Sequence, residues 1–84
     1  MKIYVLYVED EANCRGKVDL GYFRKEEDAE KRFAAKADEI RGTLNPKHKE
    51  ETPRKNYTIF TDVDNYGEEE FEQTILWIQE KELQ

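Results

Sequence analysis

The sequence predicts an α+β fold: a small antiparallel three-stranded sheet with helices packed on it, in the order β-β-α-β-α. Three observations carry that expectation. Runs of β-branched and aromatic residues recur at 2–8, 18–23 and 57–61, the composition that suits a pleated, half-buried surface. Between the second and third runs, Ala29, Phe33, Ala37 and Ile40 recur at four, four and three residues, the apolar stripe of a helix lying on a sheet. Near the end of the chain, Phe71, Ile75 and Ile78 repeat the four-three spacing. With 84 residues the chain can enclose only one core, so a single domain over 1–84 is expected.

The first run, Lys2 to Val8, is apolar without alternation, so both of its faces should be covered, and it is placed as a central strand. The polar residues 9–17 contain Gly16 and separate two strand-like runs, as a hairpin connection longer than two residues does. Cys14 lies at its tip between basic neighbours, but no histidine is near it in sequence, so a bystander thiol is expected. In 18–23, alternation puts Val18, Leu20 and Tyr22 on one face and Asp19 and Gly21 on the other. This half-solvated strand should have the strand at 2–8 and the segment at 56–62 paired around it, with the helix over its apolar face.

The helix is expected over 26–41. Arg24 and Lys25 stand where a capping side chain is usual, while Glu26, Glu27 and Asp28 fill a first turn that favours anions. Gly42 suits the position after the helix, and Pro46 prevents resumption. Residues 42–56 hold both prolines and the single histidine with no apolar period, so a long mobile loop is expected there. His48, between Lys47 and Lys49, has no ligand set around it and reads as a solvated loop histidine.

After the third strand, Asp62, Asp64 and Gly67 fall at positions one, three and six of a calcium loop, yet Tyr66 and Gln73 occupy positions five and twelve. A turn that caps the next helix explains the same residues. Residues 68–83 are then read as the second helix, with Glu68, Glu69 and Glu70 in its first turn. Leu76 and Trp77 fall off its stripe and widen the apolar arc, leaving Trp77 available to a partner or to a second copy of the chain. Residues 74–78 also have the composition of a strand, but the flanking Glu, Gln and Lys favour helix.

Two strands followed by Gly21-Tyr22-Phe23-Arg24-Lys25-Glu26-Glu27-Asp28-Ala29-Glu30 resemble the opening of many small uncharacterised bacterial and phage proteins. In those a strand ends in a glycine and an aromatic, and a helix begins with an acidic residue and an alanine. The resemblance covers residues 2–41 and implies a β-β-α-β fold and no activity. Arg24 and Lys25 depart from it, standing where those proteins commonly place serine or threonine.

A net charge of −6 argues against direct binding to nucleic acid or to an anionic membrane, which needs lysine and arginine to displace counterions. The charge is uneven: residues 57–84 alone carry −7. Asp62, Asp64, Glu68, Glu69, Glu70 and Glu72 would form a dense negative patch able to steer a basic protein surface. The expectation is a small acidic, non-enzymatic protein-binding module, which, like some phage inhibitors, acts as a nucleic-acid mimic against a basic nucleic-acid-binding protein. Its binding residues would be those six acids and Trp77. No cofactor, metal or catalytic residue is expected. The alternatives are a homo-oligomeric structural protein, with a homodimer as the partner, and a weak divalent-cation domain at Asp62 and Asp64. One cysteine and a strand pattern that begins right after Met1-Lys2 suit a cytoplasmic protein without a signal peptide.

Overall fold

The computed structural model describes residues 1–10 and 16–83, without the side chains of 69–71. Its elements run β1 (Lys2–Asp10), β2 (Lys17–Phe23), α1 (Glu26–Arg41), β3 (Lys49–Arg54), β4 (Tyr57–Val63) and β5 (Glu69–Glu82). The strands form one antiparallel sheet in the order β2-β1-β5-β4-β3. Among the described residues only α1 packs on it, so they cover one face with a helix and leave the other without one. The expected three-stranded sheet with several helices is therefore corrected to five strands and one helix. Cys14 lies outside the described residues.

The largest correction is β5. The stretch read as a second helix is a 14-residue strand in the middle of the sheet. Leu76 and Ile78 stand opposite Val8 and Leu6 of β1 and belong to the core under α1. Ile75 and Trp77 stand opposite Glu9 and Tyr7, on the helix-free face. Leu76 and Trp77, which had no place on a helical stripe, thus fall on alternate faces, as a period of two requires. The apolar residues at 75–78 are consecutive because both faces of this strand carry apolar neighbours, and such a run matches either period.

The stretch expected as a mobile loop contains β3, whose residues are all exposed. An edge strand that buries neither face has no apolar period to reveal it, and its charges and Pro53 suit an edge that must not recruit further strands. Asn56, at φ 57°, closes the tight turn into β4, a conformation that asparagine tolerates better than most residues. Thr58 is buried on β4 with its hydroxyl 3.2 Å from that of Thr52 on β3.

β2 was placed between two strands, yet it is an edge paired only with β1. A bulge puts Leu6 opposite Gly21 and Tyr7 opposite Asp19, with Leu20 as the extra residue. Leu20 and Phe23 then pack on the core, whereas Tyr22 is turned to the other face, 63% exposed, its hydroxyl donating to Asp19 Oδ2 at 2.6 Å. A Cβ at Gly21 would lie 3.0 Å from the Phe23 ring, so a larger residue there requires that ring to shift.

α1 follows the sequence expectation closely. Ala29, Ala37 and Ile40 are buried, and Phe33 and Leu44 pack beside them. No side chain caps Lys25, so the acidic first turn is left to complement the N-terminal dipole. Gly42 has an ordinary helical φ of −66°, and the helix ends instead by tight backbone bonds, Thr43 N–H to Ile40 O at 3.0 Å and Leu44 N–H to Arg41 O at 3.2 Å. The core is completed by Leu6, Phe60 and Leu76 from β1, β4 and β5.

Leu76 is fully enclosed, so Leu76→Ala should lower unfolding free energy by about 2–5 kcal/mol through lost burial and a residual cavity. Leu83→Ala, at an exposed site just beyond the same strand, should change it by no more than about 0.5 kcal/mol. Urea denaturation of both variants checks the assignment: as a strand, residue 76 faces the core, whereas equal losses at 76 and 83 would contradict the register.

Candidate functional site

Between β4 and β5 the chain folds back on itself through residues 64–68, and the carboxylates of Asp62 and Asp64 organise the turn. Asp62 Oδ1 accepts the Val63 and Asn45 N–H groups, both at 3.0 Å. Asp64 Oδ1 accepts the Tyr66 and Glu68 N–H groups, both at 2.9 Å. The backbone closes the same turn, Asp64 N–H to Glu68 O at 2.9 Å and Gly67 N–H to Asp64 O at 3.0 Å, with Gly67 at φ 81° where a side chain would be strained. The Asp-x-Asp-x-x-Gly pattern is thus spent on an aspartate-stabilised turn, as expected, but the turn leads into a strand and not into a helix.

Glu68 and Glu72 are exposed beside this turn, and Glu69 is in register with Val63. The side chains of Glu69 and Glu70 lie outside the description. The six acids named from sequence are therefore gathered along a turn and the start of a strand, with no helix dipole behind them. Seven described acids elsewhere find cations: Glu26 and Glu30 meet Lys55, Asp38 and Glu50 meet Arg41, Glu39 meets Lys36, Glu80 meets Lys2, and Glu82 meets the N-terminal ammonium. Among the described residues no ion pair involves Asp62, Asp64, Glu68 or Glu72. At the tip stands Tyr66, 90% exposed, a large aromatic that charge counting overlooked.

Trp77 lies apart from this end, on the helix-free face. Its ring stacks on Tyr7 at 5.4 Å between centroids and leans on Tyr57 at 6.0 Å. Cations lie over the flanking rings: Lys17 at 4.6 Å and Lys81 at 5.2 Å from Tyr7, and Arg54 at 4.4 Å from Tyr57. The acids and Trp77, grouped from sequence as one binding set, therefore occupy two surfaces. Tyr7, Tyr57 and the three cations were not singled out from the sequence. The alternation of Tyr57 with Ile59, and of Ile75 with Trp77, is the signal that places them together once 74–78 is read as strand.

A third cluster ties the end of α1 to β3. The Arg41 guanidinium forks onto Glu50, Nε to Oε2 and Nη2 to Oε1, both at 2.9 Å, and it also meets Asp38 at 2.9 Å. His48 Nδ1 lies 2.9 Å from the Asn45 carbonyl and Nε2 lies 2.6 Å from Glu50 Oε2. Both ring nitrogens thus face acceptors, which suits the imidazolium. The Arg41 hydrogen bond, followed by that of His48, lowers the Glu50 carboxyl from 4.5 to about 2, while Glu50 raises His48 above its ordinary 6.5. His48 is therefore half-buried between two acceptors that favour its charged form, and is not the solvated histidine expected of this loop.

A groove of about 350 Å³ runs between the second half of α1 and the ends of β1, β2 and β5. It is lined by Val8, Val18, Ile40 and Thr74, with Lys36 and Glu39 on the helix side. Neither Trp77 nor any of Asp62, Asp64, Glu68 and Glu72 lines it. Among the described residues, no three His, Cys, Asp or Glu side chains converge as a metal-ligand set. No described helix is long and apolar enough to cross a membrane. Comparison with protein-family models, with curated proteins and with solved structures gives no match.

The Glu50 cluster makes stability depend on pH from both sides. Glu50 has a depressed folded value, so its contribution is whole above about pH 4.5 and is lost as pH falls toward 2. His48 has a raised folded value, so its contribution is whole below about pH 6.5, the unfolded value, and is lost as pH rises from there through the higher folded value. Glu50→Gln should cost about 1–3 kcal/mol near pH 6 and return the His48 midpoint toward 6.5. Melting curves across pH, with an NMR titration of the single histidine, check both. A His48 midpoint indifferent to Glu50→Gln contradicts the pairing.

Proposed function

We propose that this chain is a non-enzymatic protein-binding module whose acidic β4–β5 end engages a basic surface of another protein. The observation that carries the reading is that Asp62, Asp64, Glu68 and Glu72, close together at one end, stand without a cation among the described residues, while Glu26, Glu30, Asp38, Glu39 and Glu50 are paired within the fold. Charges neutralised internally contribute little field outside, whereas charges left unpaired at one end attract a basic partner and raise its rate of encounter. Asp62 and Asp64 are held by backbone donors, so less freedom is lost on binding than with flexible carboxylates. Tyr66 supplies an exposed aromatic at the centre of the acids, the kind of residue that anchors an interface. The narrower form of the reading, mimicry of nucleic-acid phosphates against a basic nucleic-acid-binding protein, rests on the same carboxylates.

The test is affinity capture from a lysate with wild type and with Glu68→Lys/Glu72→Lys, followed by direct titration of the captured protein. A basic protein should be retained by wild type and missed by the variant. Its affinity should fall at least about tenfold when salt is raised from 0.1 to about 0.5 M, as expected when exposed charges are screened. Identical capture profiles, or a partner whose binding ignores salt, would remove the acidic end from the interaction. Tyr66→Ala separates the aromatic contribution and should weaken binding with little effect on the salt dependence.

A further inference from the structure

The helix-free face of the sheet carries a pattern that its register makes explicit. One row crosses all five strands: Asp19 on β2 stands opposite Tyr7 on β1, Tyr7 opposite Trp77 on β5, Trp77 opposite Tyr57 on β4, and Tyr57 opposite Arg54 on β3. The row reads acid, aromatic, tryptophan, aromatic, base, with its centre on the middle strand. The next row on the same face reads Lys17, Glu9, Ile75, Ile59 and Glu51. Here the outer residues are again opposite in sign, base on β2 and acid on β3. Val5 and Tyr7 on this face are 0% and 5% exposed although no helix covers them, whereas Ile75, Trp77, Tyr57 and Ile59 are only half-buried.

A two-fold axis parallel to β5, lying in the plane between two such faces, places β5 on β5, β1 on the partner copy's β4, and β2 on its β3 while preserving position along the strands. Trp77 then meets Trp77 and Ile75 meets Ile75. Asp19 lies over the second copy's Arg54, and Lys17 over its Glu51. Both rim pairs are opposite in charge, and each occurs twice by symmetry. An isologous interface requires this kind of self-complementarity. We infer that the helix-free sheet face is a homodimer interface, in which two copies stack sheet on sheet, with Tyr7, Trp77, Tyr57, Ile75 and Ile59 inside, Glu9 over the second copy's Ile59, and the Asp19–Arg54 and Lys17–Glu51 pairs at the rim.

The dimensions agree with that occupant. Five strands about 4.8 Å apart, with nine paired residues in the β1–β5 ladder at about 3.4 Å each, give a face of about 700 Å², close to the ~800 Å² per partner of a stable complex. The resulting helix-sheet-sheet-helix stack is an ordinary layered architecture, its two sheets aligned within about 30°. The acidic end takes no part in these pairs, so either surface can fail its test without the other.

Sedimentation equilibrium of the full chain tests the interface, with the emission of Trp77, the single tryptophan, as a second reporter. Wild type should approach twice its 10.1 kDa mass as concentration rises, and the emission should shift to the blue in step. Asp19→Arg and Arg54→Asp should each raise the dissociation constant on the order of tenfold by setting like charges together, and the double reversal should restore it. Both changes lie at exposed positions, and circular dichroism of each of the three variants verifies that the fold is kept. A wild type that stays at 10.1 kDa at every concentration overturns the inference. So does a dimer that ignores both reversals, or one that the double reversal fails to restore.

Discussion

The antiparallel ladder between β1 and β5, running from Lys2 opposite Glu82 to Asp10 opposite Thr74, is the constraint on which the rest of the fold depends. It joins the two ends of the chain and places two apolar strands side by side. Leu6, Leu76 and Ile78 then make a surface wide enough to bury α1. β2 is added to one side of this pair by a hairpin and β4 to the other, and β3 closes the second edge. The N-terminal ammonium bonded to Glu82, and Leu83 N–H bonded to the Met1 carbonyl at 2.7 Å, extend the ladder past its last side-chain pair. Ring closure over nearly the whole chain is entropically expensive, so the apolar burial under α1 has to be secured by this one pairing.

Electrostatics in this protein are arranged by location. Two cations tie α1 to its neighbours: Lys55 reaches from the β3–β4 turn to Glu26 and Glu30 at the start of α1, and Arg41 reaches from its end to Glu50 on β3. The helix is thus tied at both ends to the β3–β4 hairpin, which supplies little apolar contact from β3 itself. Exposed ion pairs of this kind are individually weak, but the Arg41–Glu50–His48 group is forked, partly buried and cooperative, and it has more to hold with. What remains outside these pairs is the acidic turn, with the helix-free face carrying its own alternation of signs. Two surfaces of different chemistry follow, one that addresses a basic protein and one that addresses itself.

Much of the candidate site was legible in residue types, and little of it in arrangement. The carboxylates of Asp62 and Asp64 were recognised as turn formers because Asp, Asn and Gly at that spacing satisfy backbone donors locally, and they do. Trp77 was placed on the expected second helix, off its apolar stripe. Its true neighbours are Tyr7, 70 positions earlier, and Tyr57, 20 positions earlier, and no local pattern joins them. His48 was misjudged for a related reason: Glu50, the carboxylate that favours its charged form, is itself held by Arg41 through a contact between a helix end and an edge strand. A lone histidine between lysines carries no trace of that.

By itself the sequence determined the helix at 26–41, the strands near 2–8, 18–23 and 57–61, and the excess of acid in the last third, since each rests on local period, composition or charge count. Only the tertiary structure decided that residues 69–82 are a strand, that 49–54 are an edge, and that one face of the sheet is left without a helix. A central strand apolar on both faces and an edge strand apolar on neither lack the alternation by which strands are recognised. Their state is fixed by hydrogen bonds to partners distant in the chain, and those bonds exist only once the sheet has formed.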